Sequence, residues 1–156
     1  RSPDAFHTNL YMLRSVADFI RTPMQLCDAD LPVTTLFEGL QRQTFVPHVL
    51  VTRDGKVQGV LSSRRIVHML RRGNRTGTVG EHARPHYAVV NAQDLIFDVL
   101  ARLRESGGDI ALLTREGRLD GADDVTGIVT WNDMLLHGNI PLPLRRRRRP
   151  ETPRAA

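Results

Sequence analysis

Apolar residues fall along the chain in two rhythms. Leu36, Phe37 and Leu40 recur at helical spacing, as do Leu95, Val99, Leu100 and Leu103, so each set marks the buried face of an amphipathic helix. After each helix come two short apolar runs rich in β-branched residues. HVLVT (His48–Thr52) and VQGVLS (Val57–Ser62) flank RDGK, where Asp-Gly signals a hairpin turn because glycine tolerates positive φ. DIALLT (Asp109–Thr114) and VTGIVT (Val125–Thr130) flank a longer acidic loop. The pattern further predicts short helices around Val16–Ile20 and Val79–Ala83, brief strands near Gln25–Cys27 and Tyr87–Val90, and closing helices over Ser63–Arg71 and Asn132–Leu136.

These elements form an internal repeat. VADFIRTP (Val16–Pro23) aligns with VGEHARP (Val79–Pro85), LFEGL (Leu36–Leu40) with IFDVL (Ile96–Leu100), and DGKV (Asp54–Val57) with EGRL (Glu116–Leu119). GVLSSRRIVHML (Gly59–Leu70) then aligns with GIVTWNDMLLHG (Gly127–Gly138). The spacing is roughly 60 residues and widens near the end, where the second copy carries the extra LDGADD (Leu119–Asp124). Helix, strand, helix, strand, strand, helix, read twice, is an α/β (α+β) pattern. A unit of about 55 to 60 residues is marginal as an independent core, so the two copies are expected to pack side by side through their sheets with helices outside. Gly107-Gly108 stops the second long helix, and Arg71–Gly77 reads as the connection between copies. The expected organisation is an N-terminal segment (1–15), a first unit (16–72), a linker (73–77), a second unit (78–138) and a basic tail (139–156).

Composition narrows the function classes. The chain has 156 residues, 40% of them apolar, and no apolar run approaches the roughly 18 residues that cross a bilayer. The opening RSPDAFHTN lacks a signal pattern, and a soluble, cytoplasmic piece is expected. Because the chain opens on Arg1, the expectation is a fragment of a longer protein, with a membrane protein one possible parent. The single cysteine, Cys27, excludes an internal disulfide. Of the six histidines only His82 and His86 have the spacing of a helical metal site, and Pro85 breaks the helix between them, so no metal is expected. The net charge of +5 equals the run Arg145–Arg149, read as a solvated tail, with contact to anionic lipid or a polyanion as the alternative and nucleic acid an unlikely partner. No nucleophile–base pair or Gly-rich phosphate loop is present, and catalysis is not expected.

The hairpin VPHVLVTRDGKVQG (Val46–Gly59), the proline-bearing first helices and two closing turns of the form G-h-h-[S/T]-x-x-[D/N], the first departing from it with Arg65 at the last position, together resemble a tandem pair of cystathionine-β-synthase (CBS) domains over roughly Val16–Gly138. The resemblance implies a regulatory module rather than an enzyme. It implies an adenosine-containing ligand (AMP, ADP, ATP or S-adenosylmethionine) in a cleft between the units, a homodimer, and an attached or partner effector. SPDAFHTNLYMLRSVADF (Ser2–Phe19) faintly resembles the connection between membrane region and CBS pair in bacterial chloride-channel-type transporters. A ligand-free dimerisation or docking module of such a membrane protein is the alternative.

Thr130 and Asp133 are the candidate grips. The strand containing Ile128 delivers Thr130 to the free N–H groups of a helix start, where a phosphate is favoured. Asp133 follows about one turn later and suits ribose hydroxyls. The resemblance implies these two contacts for the same pair; a helix cap with a favourable first-turn charge is the other reading. Tyr87 to Val89 and Ile110 to Leu112 are candidates to cover an adenine. In the first copy Ser62 keeps a hydroxyl, but Arg65 stands where Asp133 does and accepts nothing from a ribose. One dominant site is therefore expected, with Arg64 or Arg65 either reaching the phosphates of a ligand held by Asp133 or lying on a solvated face. Trp131 is read as a cleft cover or an exposed partner contact, and Asp120, Asp123 and Asp124 as part of a flexible loop without calcium-binding spacing.

Overall fold

The computed structural model describes residues 13–20 and 22–138, the side chains of 136–138 excepted. The Arg145–Arg149 run and most of the Ser2–Phe19 stretch lie outside the described residues. Two three-stranded sheets are present, ordered β1-β2-β3 and β4-β5-β6. The first comprises β1 (Met24–Asp28), β2 (His48–Arg53) and β3 (Lys56–Leu61); the second comprises β4 (Ala88–Asn91), β5 (Ile110–Thr114) and β6 (Val125–Thr130). In each, the first strand runs parallel and the third antiparallel to the middle one. The repeat extends to register: Leu50 faces Val60 and Val51 faces Gly59, as Leu112 faces Ile128 and Leu113 faces Gly127. Even the register shift recurs, at Val51/Thr52 and at Leu113/Thr114. Asp54 and Gly55 both take positive φ, 52° and 78°, which is the twist a two-residue hairpin requires.

The helices are α1 (Val16–Phe19, a single 3₁₀ turn), α2 (Val33–Leu40), α3 (Ser63–Arg72), α4 (Val79–His82), α5 (Ile96–Ser106) and α6 (Trp131–Gly138). Helix α5 stops at Gly107, whose φ of 74° lets its amide turn back to the Leu103 carbonyl. The sheets pack on each other through Leu50 and Val60 from one and Ile110, Leu112, Val125 and Ile128 from the other. Helices cover the outer faces.

The short first helices change places. Val16 and Phe19 of α1 lie in the core of the second copy with Val90, Val99 and Leu103, whereas Val79 of α4 lies in the core of the first with Val33, Leu36 and Ile66. Backbone bonds fix both exchanges: the Val16 amide donates to the Asp94 carbonyl at 2.8 Å, and the Val79 amide to the Leu31 carbonyl at 2.8 Å. Burying a valine is worth about 1.5–3 kcal/mol, a large share of what a unit this small can hold.

The exchange also accounts for the glycine that heads each closing motif. A Cβ on Gly59 would stand 2.8 Å from the Arg84 carbonyl oxygen, and one on Gly127 would stand 2.7 Å from Cδ1 of Ile20. The other copy's opening segment crosses at these points, pairing with β3 through Val60 and Arg84.

Two expectations are corrected. Trp131 is neither exposed nor a cleft cover: it is 5% exposed and belongs to the core cluster around Val99 and Met134. The acidic loop is anchored. Asp124 accepts from the amides of Asp120 and Gly121, the Ala122 amide donates to the Gly55 carbonyl at 2.8 Å, and Lys56 Nζ donates to the Asp120 carbonyl at 3.0 Å. The extra residues thus form a 3₁₀ turn (Ala122–Asp124) seated on the first hairpin.

Candidate functional site

Helix α6 closes its own N-terminus. The Asp133 amide donates to Thr130 Oγ1 at 3.1 Å, and the Thr130 amide donates to Asp133 Oδ2 at 2.9 Å, a reciprocal capping box. Helix α3 has only half of this. Ser62 Oγ accepts from the Arg65 amide at 3.2 Å, but an arginine returns no acceptor.

His48 serves the next amide instead, the one whose counterpart in the second copy, the Trp131 amide, donates to the Asp109 carbonyl at 2.8 Å. It stands on β2 at the register position that Ile110 holds on β5, and the Ser63 amide at the head of α3 donates to its Nδ1 at 3.0 Å. Because Nδ1 accepts, this is the neutral tautomer carrying its proton on Nε2, and that N–H donates to Asp133 Oδ2 at 3.0 Å. One imidazole, 3% exposed, therefore ties the start of α3 to the start of α6. Burial works against the Asp133 charge, but the His48 hydrogen bond and the Thr130 amide outweigh it and hold the carboxyl below its ordinary range. Both described bonds to this carboxylate fall on Oδ2, and Oδ1 takes neither.

A cleft of about 690 Å³ opens beside this bridge, lined by Ile20, Thr22, Pro23, Phe45, Val46, Ser63 and Val67. That is the size of small-molecule sites, and the lining, apolar with two hydroxyls, is of the usual kind. Ser63 lines it while its amide holds His48, so a single ring separates the cleft wall from Asp133.

The remaining candidates are dispersed. Ile110 and Ile128 are packed in the core between the sheets, and Tyr87 lies half-buried against the same cluster. Val89 is half-buried on β4, its carbonyl accepting from Arg102 Nη1 at 2.8 Å. Among the described residues Arg65 makes no ion pair with Asp133, and it lines a pocket with His68, Met69, Arg72 and Asn74. Sequence reasoning missed His48 and most of the cleft. The available signal was a histidine inside an otherwise apolar strand where the other copy has isoleucine. Among the described residues no three His, Cys, Asp or Glu side chains gather as metal ligands, and no helix is long and apolar enough to cross a membrane.

The family model described as the CBS domain matches residues 16–72. Solved structures share the fold. An uncharacterised conserved protein from Pyrococcus horikoshii is 18% identical, with 91% of this chain and 98% of that one covered, at a TM-score of 0.59. A CBS domain pair in complex with 5′-methylthioadenosine and S-adenosyl-L-methionine is 18% identical, with 82% and 99% covered, at 0.56. The CBS domain of a bacterial CNNM/CorC family Mg²⁺ transporter is 19% identical, with 86% and 83% covered, at 0.60. No curated protein matches the sequence significantly.

Proposed function

Since residues 16–72 match the CBS domain and the described chain has the fold of a tandem CBS domain pair, we propose that this protein is a regulatory module that binds an adenine nucleotide or another adenosyl ligand and controls an attached or partner protein. The cleft of about 690 Å³ beside the His48–Asp133 bridge carries this reading. The base enters among Ile20, Pro23, Phe45, Val46 and Val67, with Thr22 and Ser63 supplying hydroxyls. The ribose hydroxyls donate to Asp133, and a phosphate lies at the helix start marked by Thr130 or at the one marked by Ser62. In the second copy the half-buried Tyr87 is a further candidate to cover a base.

A ligand that draws Asp133 toward its ribose competes with His48 and so biases how the two copies are tied, which is the differential interaction that regulation requires. Calorimetric titration with AMP, ATP and S-adenosylmethionine tests the reading. Saturable heat with at least one of them, weakened about tenfold or more in Asp133→Ala, is expected. Absence of binding to all three, or unchanged affinity in the variant, would sink it.

A second reading, a ligand-free homodimerisation or docking module at the inner face of a membrane, is favoured by Phe97, which is 57% exposed on α5. A cleft that stays empty together with a concentration-independent dimer lost in Phe97→Ser would select it.

A further inference from the structure

Helix α3 and the turn that follows carry Arg64, Arg65, Arg71, Arg72 and Arg75, with no acidic residue from Ser62 to Gly77. Arg65, His68, Met69 and Arg72 follow the spacing of one helical face, and with Asn74 they line a pocket of about 220 Å³. Met69, 1% exposed, belongs to the core and contributes an apolar wall. Arg65 Nε is buried without a hydrogen-bond partner, so its guanidinium is not spent on a neighbour through that atom. Among the described residues neither Arg65 nor Arg72 is ion-paired with a carboxylate.

Asn74 is held ready as a donor. Its amide N–H bonds the Met69 carbonyl at 2.9 Å, and Thr76 Oγ1 donates to its side-chain oxygen at 3.2 Å, which commits the carbonyl and leaves the NH₂ group. The negative pole of a helix C-terminus opposes an anion here. Gly73 and Asn74 blunt it by donating to the last carbonyls of α3, and Arg71 and Arg72 add charge in the same turn.

We propose that this pocket is a binding site for a phosphate-type oxyanion, separate from the adenosyl cleft. Arg65 presents its guanidinium to the oxyanion, a planar donor group that suits phosphate. Arg72 supplies a second positive charge, and the Asn74 NH₂ a neutral donor. The oxyanion is carried by a soluble phosphate compound or by a lipid head group, the same chemistry from two sources.

The full chain is titrated with inorganic phosphate at constant ionic strength, followed by amide chemical shifts or calorimetry. Saturable binding is expected, weakened about tenfold in Arg65→Gln and in Arg72→Gln but changed less than about twofold in Arg64→Gln, which removes the same charge from the same helix outside the pocket. Thermal unfolding of each variant confirms folding, and Arg72→Gln, at an exposed position, keeps the test decisive if Arg65→Gln does not fold. Co-sedimentation with phosphatidylglycerol vesicles separates the sources. Vesicle binding lost in both pocket variants and competed by phosphate supports the site with a head group as its ligand, and phosphate binding without vesicle binding supports it with a soluble one. No saturable phosphate binding, or equal weakening in Arg64→Gln, overturns the proposal.

Discussion

Helices α3 and α6 begin at the same point of their repeats, each directly after a hydroxyl residue, Ser62 or Thr130, and they are held in different ways. Helix α6 is self-sufficient, since Thr130 and Asp133 satisfy each other's amides. Helix α3 depends on a neighbour: Arg65 returns nothing to Ser62, the Ser63 amide donates to His48 where its counterpart Trp131 donates to the Asp109 carbonyl, and His48 is in turn fixed by Asp133 of the other copy. The difference shows how a duplicated frame becomes a coupled one. One difference between the repeats, His48 against Ile110, adds a chain of hydrogen bonds that crosses between copies, while another, Arg65 against Asp133, leaves the α3 cap half-formed.

The sharpest way to break this asymmetry is His48→Ala. It strands the Ser63 amide, takes one of two described donors from the Asp133 carboxylate, and opens a cavity at a position 3% exposed. A loss of about 3 kcal/mol is expected, roughly 10 °C in melting temperature, and a loss below about 1 kcal/mol in denaturant unfolding would show that the bridge is not structural.

The glycines give the next largest contrast. Gly59→Ala drives a methyl into the Arg84 backbone oxygen, whereas Gly127→Ala meets the mobile end of the Ile20 side chain. About 2 kcal/mol is expected for the first and about 1 kcal/mol for the second, and equal losses would refute a rigid crossing in one copy and an adaptable one in the other.

Acid titration sharpens the role of Asp133. Its folded pKa is depressed below the ordinary aspartate value, so its contribution to stability is complete above the unfolded value and is lost as pH falls through the folded one. The stability difference between the wild type and Asp133→Asn is therefore expected to be constant from pH 5 to 7 and to shrink below about pH 4, measured by urea midpoints. A difference that grows on acidification contradicts this.

The smallest effect is expected from restoring the symmetry. Arg65→Asp gives Ser62 the partner that Thr130 has and removes a buried N–H without an acceptor, a gain of about 0.5–1 kcal/mol in unfolding free energy. A loss of stability would show that α3 needs the arginine for its packing.

How much of this was legible depends on the range of each interaction. The sheets, both hairpins and the Gly107 stop were legible because alternation, Asp-Gly and Gly-Gly are local signals. The buried set Leu36, Phe37, Leu40, Val99, Leu100 and Leu103 followed from helical spacing in the same way. The capping half of Thr130 and Asp133 was legible for the same reason. The other half was not, because Asp133 and His48 are 85 positions apart and a histidine in an apolar run looks like a solitary polar residue until the partner strand is in place. The exchange of α1 and α4 was hidden by the repeat itself: Val16 and Val79 are equivalent, so the alignment is the same whichever copy each one completes. Trp131 was misread because its neighbours Thr130 and Asn132 are polar, while the turn of α6 carries its ring into the core.

The exchanged first helices bear on how such a chain arises. A single copy could complete its core only by borrowing that helix from a second molecule, so its folding would be a bimolecular event that dilution could undo. Joining two copies end to end turns the loan into an internal one, with a local concentration fixed by the linker and independent of how much protein the cell makes. Once the partner is guaranteed, each half is free to drift from the other, and the His48 and Arg65 replacements are the kind of divergence that a symmetric pair of separate chains would have had to make twice.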